Sequence, residues 1–123
     1  MNCARRVLMV LAMVTAHAAA AADDARAQTL VTPNFRVTIQ IRCAEGNVTC
    51  DDVRYVGRHR RTGKSISLTG RTHHTLCADG ITPCRFLGYV FQNGRVRYFA
   101  GEDGLLRVTD GEKVLVEERG AWK

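Results

Sequence analysis

Two cysteine pairs with a single spacing, Cys43-x6-Cys50 and Cys77-x6-Cys84, restrict this chain more than any other feature. Each pair encloses turn-forming residues: Glu45-Gly46-Asn47 in the first, Asp79-Gly80 and Pro83 in the second. Four cysteines allow three pairings. The equal spacing and the enclosed turns favour the two local loops over crossed pairings that would tie distant segments together. Zinc ligands usually stand two to four residues apart within a pair, so the spacing argues for disulfides and against a metal cage.

The fifth cysteine, Cys3, belongs to a different kind of segment. Arg5 and Arg6 precede an apolar run from Val7 to Ala16, and alanines follow as far as Ala22. Basic, then apolar, then small is the layout of a secretory signal peptide. Cleavage after Ala22 or after Ala27 satisfies the small-x-small rule, and removal of residues 1–27 takes Cys3 away and leaves an even cysteine count. A spanning helix needs about 20 apolar residues, and Asp23, Asp24 and Arg26 interrupt this run. The expectation is therefore an exported, periplasmic or secreted chain with no membrane span after processing. Residues 28–123 form one small domain, which gains from covalent staples because its core is limited.

Within that domain the apolar pattern has period two. Phe35, Val37, Ile39 and Ile41 alternate with Arg36, Thr38, Gln40 and Arg42, the signature of a half-buried strand. A hairpin around Thr62-Gly63 puts His59 opposite Ile66 and Tyr55 opposite Gly70, with Val53, Tyr55, Ile66 and Leu68 on one face. Asn93-Gly94 suits a type I′ turn and puts Phe91 opposite Val96 and Tyr89 opposite Tyr98, with Leu87 and Ala100 continuing the same face. A three-residue loop Asp110-Gly111-Glu112 puts Val108 opposite Val114 and Leu106 opposite Val116. No run of apolar residues has helical spacing. The fold expected is all-β, a small antiparallel meander of about seven strands closed into a barrel or a two-layer sheet, with two disulfides.

The chain carries 18 Lys and Arg against 12 Asp and Glu, net +6. That surplus suits an anionic partner, and it also serves solubility. Arg58, Arg60 and Arg61, with Lys64 across the turn, form the densest cluster; alternation sends Arg58 and Arg60 to one side, where they could grip phosphate or carboxylate. No aromatic residue is interleaved with these cations, which argues against nucleic acid. His73 and His74 are adjacent on a strand and point to opposite faces, so they cannot grip one metal together. Ser65 and Ser67 stand outside any Gly-x-Ser-x-Gly elbow, and the acidic pairs are consecutive residues in turns or at a strand end. The expectation is a protein without catalytic, metal or cofactor residues. The segment from His74 to Cys84 is the other candidate: a pinned loop with apolar Leu76 and Ile81 near its ends and Thr82 beside them, rigid and hence favourable for capturing a partner.

An export signal, paired cysteines and closing hairpins such as Tyr89–Tyr98 together resemble the small periplasmic inhibitors of c-type lysozyme. The resemblance implies a disulfide-bearing β-barrel and, as an alternative function, a lysozyme-directed inhibitor. Those inhibitors carry a Ser- and Tyr-bearing Gly-rich segment before a Trp-Lys step, whereas this chain reads Glu118-Arg119-Gly120-Ala121-Trp122-Lys123. No functional residue is carried over. The principal expectation is a monomeric, non-enzymatic binding module whose partner is a protein or an anionic envelope component.

Overall fold

The computed structural model describes residues 26–123. The expected signal peptide lies outside the described residues, apart from Arg26 and Ala27. Nine strands follow one another: β1 (Ala27–Val31), β2 (Phe35–Ile41), β3 (Val53–His59), β4 (Ser65–Leu76), β5 (Pro83–Asn93), β6 (Val96–Gly101), β7 (Leu105–Asp110), β8 (Lys113–Arg119) and β9 (Ala121–Trp122). They form one antiparallel sheet in the order β8-β7-β6-β5-β4-β3-β2-β1-β9. The fold is all-β, and both disulfides are the local ones, Cys43–Cys50 and Cys77–Cys84, with Cα separations of 5.8 and 5.1 Å.

Closure of the sheet falls to its last segment. β8 pairs with β7, and after Gly120 the chain runs on as β9 to pair with β1, Leu30 opposite Trp122. The seam is so close that a Cβ on Gly120 would lie 1.9 Å from the Val31 carbonyl oxygen. The Glu118 carboxylate accepts from the Asn34 backbone N–H at 2.8 Å and from its Nδ2 at 3.3 Å, and the Trp122 indole N–H donates to the Gly101 carbonyl at 2.9 Å. The result is a nearly closed barrel. The first half of β8 keeps one unpaired edge.

Inward-facing residues fill the barrel as the alternation requires. Leu30, Val37, Ile39, Val53, Phe91 and Leu106 are buried, each contributing roughly 1.5–3 kcal/mol through removal from water. Aromatic rings fill the middle: Tyr55 lies 4.9 Å from Phe91 and 5.6 Å from Tyr98, centroid to centroid. Tyr55 lies flat because its second neighbour is glycine; a Cβ on Gly57 would come within 2.6 Å of the ring.

The registers expected around Thr62-Gly63, Asn93-Gly94 and Asp110-Gly111-Glu112 all differ from those observed, and in the first two the reason is that, among the described residues, only glycines take positive φ. A two-residue Thr62-Gly63 loop would place β-branched Thr62 there. Instead Arg60 to Gly63 form a four-residue loop with Gly63 at φ 75°, and Tyr55 faces Leu68. Likewise Asn93 stays extended and pairs with Val96; the loop is Gly94-Arg95, with Gly94 at φ 60° in the first central position, so Phe91 faces Tyr98. Both shifts are two residues, so the inward faces survive.

The final hairpin uses Gly111-Glu112 as a two-residue loop, which sets Thr109 opposite Val114 and mixes the faces. A bulge at Leu115 then restores Val108 opposite Val116. A second bulge, at Leu87-Gly88, reverses the alternation in β5. Phe86 therefore packs against the core, and Leu87 does not continue the Tyr89 face. Two strands beyond the expected seven come from the ends. The polar lead contains β1, whose Leu30 and following Thr32 are buried, and Trp122 lies in β9.

Among the described residues no helix is long and apolar enough to cross a membrane. Formed disulfides fit an extracellular or periplasmic setting. β1 begins at Ala27, and the Arg26 guanidinium donates to the Cys43 carbonyl, so a cut after Ala22 leaves this strand whole while a cut after Ala27 removes its first residue.

Candidate functional site

Because the sheet is a meander, its loops gather alternately at two ends. The β2–β3 and β4–β5 connections, which carry the disulfides, share one end. Thr72 ties the first of them to β4, the strand that leads into the second: its backbone N–H donates to the Cys50 carbonyl at 2.8 Å, and its hydroxyl accepts from the Cys50 N–H at 3.0 Å. A cleft separates the two loops, with Asn47, Val48 and Thr49 on one bank and Thr82 and Pro83 on the other.

The second loop is ordered by its own hydrogen bonds. The Cys77 N–H donates to the Thr82 carbonyl at 2.8 Å and the Gly80 N–H to the Cys77 carbonyl at 2.9 Å. Asp79 accepts from the backbone of Ile81 and Thr82 at 2.9 and 2.8 Å, and from the Thr82 hydroxyl. The Thr82 hydroxyl and these amides hold the Asp79 carboxyl down at about 2. Gly80, at φ 71°, completes the turn. This rigid end holds three apolar side chains out to solvent, Ile81 (81% exposed), Val48 (73%) and Leu76 (59%), among exposed polar ones such as Asn47, Thr49 and Asp79. Val48, on the first loop, is the member that the reading of the sequence passed over. Its signal was a lone valine between polar residues inside a short cysteine loop.

The structure divides the expected arginine cluster. Arg58 lies on β3, exposed and opposite Arg36. Arg60 is past the end of β3, in the loop, so alternation does not place it beside Arg58. Its guanidinium donates to the carbonyls of Thr32 and Pro33 at 2.8 and 3.2 Å, tying this hairpin to the β1–β2 loop. Arg61 and Lys64 are exposed in or beside the turn. No row of arginines forms there.

A denser cationic surface forms on the outside of β4–β7. Register places Arg71, Val90, Phe99 and Arg107 in one row across four strands. Arg97, His73 and Arg85 flank Phe99, with Glu102 and Asp103 at the margin. Arg107 is 3.6 Å from Glu117 and Arg119 is 2.8 Å from Asp103, while Arg71, Arg85 and Arg97 take part in no ion pair among the described residues. Burial and the guanidiniums of Arg97 and Arg71 push the His73 imidazole below its ordinary value. His73 meets Phe99 edge-on outside the barrel, and His74 meets Phe86 inside it. The sequence signal for this surface was the alternation Arg97-Tyr98-Phe99, but only the strand order brings Arg71 and Arg107 to it.

Comparison with protein-family models, with curated proteins and with solved structures returns no significant match to this chain.

Proposed function

We propose that this chain is an exported, non-enzymatic binding protein that captures a protein partner at its disulfide end. One observation carries the reading: two disulfide-pinned loops lie together at one end of the barrel and hold Val48, Leu76 and Ile81 exposed. Exposed apolar groups on a rigid frame favour association, because burial is gained without much ordering cost. Pull-down from envelope extracts and host secretions with the oxidised protein tests it. Ile81→Asp with Val48→Asp should abolish capture while leaving the unfolding midpoint unchanged; retained capture overturns the assignment of this end.

The resemblance to lysozyme inhibitors makes a lysozyme one partner to assay directly. Lysis by c-type, g-type and i-type lysozymes should slow at equimolar protein if that reading is right, and unaltered lysis ends it. A second reading rests on the Phe99 surface, where Arg71, Arg85 and Arg97 lack carboxylate partners. It favours an anionic envelope component, such as acidic polysaccharide or lipid headgroups, and predicts binding that falls steeply between 50 and about 500 mM salt.

A further inference from the structure

The end of the barrel opposite the disulfides carries a different feature, a cavity of about 450 Å³. Pockets for small ligands fall in the range of about 300–1,000 Å³ and are found in the mouths of β-barrels. It lies beside the unpaired half of β8, where the sheet is open.

Its two walls differ in chemistry. β7 and β8 supply Leu106, Val108, Leu115 and Val116, all apolar, and Leu115 reaches the cavity from the bulge. The β3–β4 hairpin supplies His59, Thr62, Lys64 and Ser65. Phe35 stacks edge-on against His59 at 5.1 Å, and Tyr98 lies between the walls. The Nδ1 atom of His59 accepts from the amides of Arg61 and Thr62, both at 3.2 Å, which leaves Nε2 free to donate. No carboxylate lines the cavity, and Lys64 has no ion pair among the described residues.

Tyr55 is the decisive group. It is 2% exposed, its ring lies over Gly57, and its hydroxyl has no hydrogen-bond partner among the described residues. The ring is packed in the core while the hydroxyl keeps some contact with solvent, so it can donate to a guest in the cavity. Both Tyr55 and Gly57 line this cavity. Lys64 lines the same cavity and supplies a cation for a ligand's acceptor group.

We propose that this mouth binds a small anionic amphiphile, its carboxylate or phosphate head against Lys64 and the Tyr55 hydroxyl and its apolar body against Leu106, Val108, Leu115 and Val116. The site is separate from the disulfide end and stands whether or not that end captures a protein.

The test is titration of the ¹⁵N-labelled oxidised protein with octanoate, octyl phosphate and octanol. Shifts should be confined to amides around Ile66, Tyr98 and Leu115, with Val48 and Ile81 unmoved. At least one anion should bind tenfold or more tightly than octanol, and the stronger of the two identifies the head. Lys64→Gln should remove that preference; Tyr55→Phe should weaken the anion several-fold and leave octanol unchanged. Lys64 is exposed, and Tyr55→Phe keeps the core ring and removes only its hydroxyl. The proposal is overturned if neither anion moves the mouth resonances by 10 mM, if octanol binds as well as the anions, or if Lys64→Gln leaves the preference intact.

Discussion

Removing the two disulfides one at a time should have unequal effects, although the loops they close are equal. Both link residues seven apart in sequence. On the chain-entropy account, a loop of about eight residues constrains the unfolded chain by about 2.4 kcal/mol. Loop closure therefore predicts identical losses. Packing does not. Cys50 is buried and belongs to the core cluster, with Cys43 packed against it, whereas Cys84 is exposed and Cys77 only half-buried. Truncating Cys43 and Cys50 to alanine should add roughly 1 kcal/mol for the void left in the core. The Cys77→Ala/Cys84→Ala protein keeps the Asp79 and Cys77–Thr82 hydrogen bonds and should lose the entropic part alone. The expected losses are about 3.4 and about 2.4 kcal/mol, a difference of roughly 4–8 °C in Tm for a domain of this size. Guanidinium unfolding without reductant, followed by the single tryptophan, Trp122, measures both. Equal losses, or a larger loss for Cys77–Cys84, would refute the argument from burial.

Four further outcomes follow from named contacts. The folded Asp79 carboxyl titrates at about 2, below its ordinary 3.8; its contribution to tip order is complete above about pH 4 and is lost as pH falls through 2, which the amide shifts of Ile81 and Thr82 should trace. Gly120→Ala should destabilise the protein by about 1–3 kcal/mol through overpacking against Val31 at the seam, read as a drop in Tm. Arg60→Ala should lower stability by about 1–2 kcal/mol by freeing the Thr32 and Pro33 carbonyls without altering retention on an anionic matrix. Arg97→Ala should do the reverse, and chromatography at two salt concentrations separates them.

Much of this architecture was legible because period-two alternation needs no knowledge of partners. Phe35–Ile41 declared its buried face directly, and the cysteine spacing favoured local pairing. Loop lengths were less legible, because Asn93-Gly94 and Thr62-Gly63 each admit more than one loop. What decided between them was the confinement of positive φ to glycine, which moved Gly94 to the first position of its turn. β1 was hidden because Gln28 and Thr29 are polar and Leu30 is its only fully buried residue. The bulges at Leu87-Gly88 and Leu115 were hidden because a bulge breaks the very alternation used to find strands. The Phe99 surface and the mouth cavity each draw residues from at least three strands, so they exist only once the strand order is known. The pinned tip at Ile81 was visible because a single short segment builds it.

Placing both staples at one end makes the barrel mechanically lopsided. Amide hydrogens next to Cys43–Cys50 and Cys77–Cys84 can exchange with solvent only through larger openings, whereas the Gly94-Arg95 and Gly111-Glu112 turns have no covalent restraint and can fray by themselves. Opening fluctuations thus concentrate at the unstapled end, where one edge of β8 is already unpaired. A deuterium-exchange map should grade from slow to fast along the barrel axis. Such a gradient would let the mouth breathe enough to admit a guest while the opposite end keeps its shape.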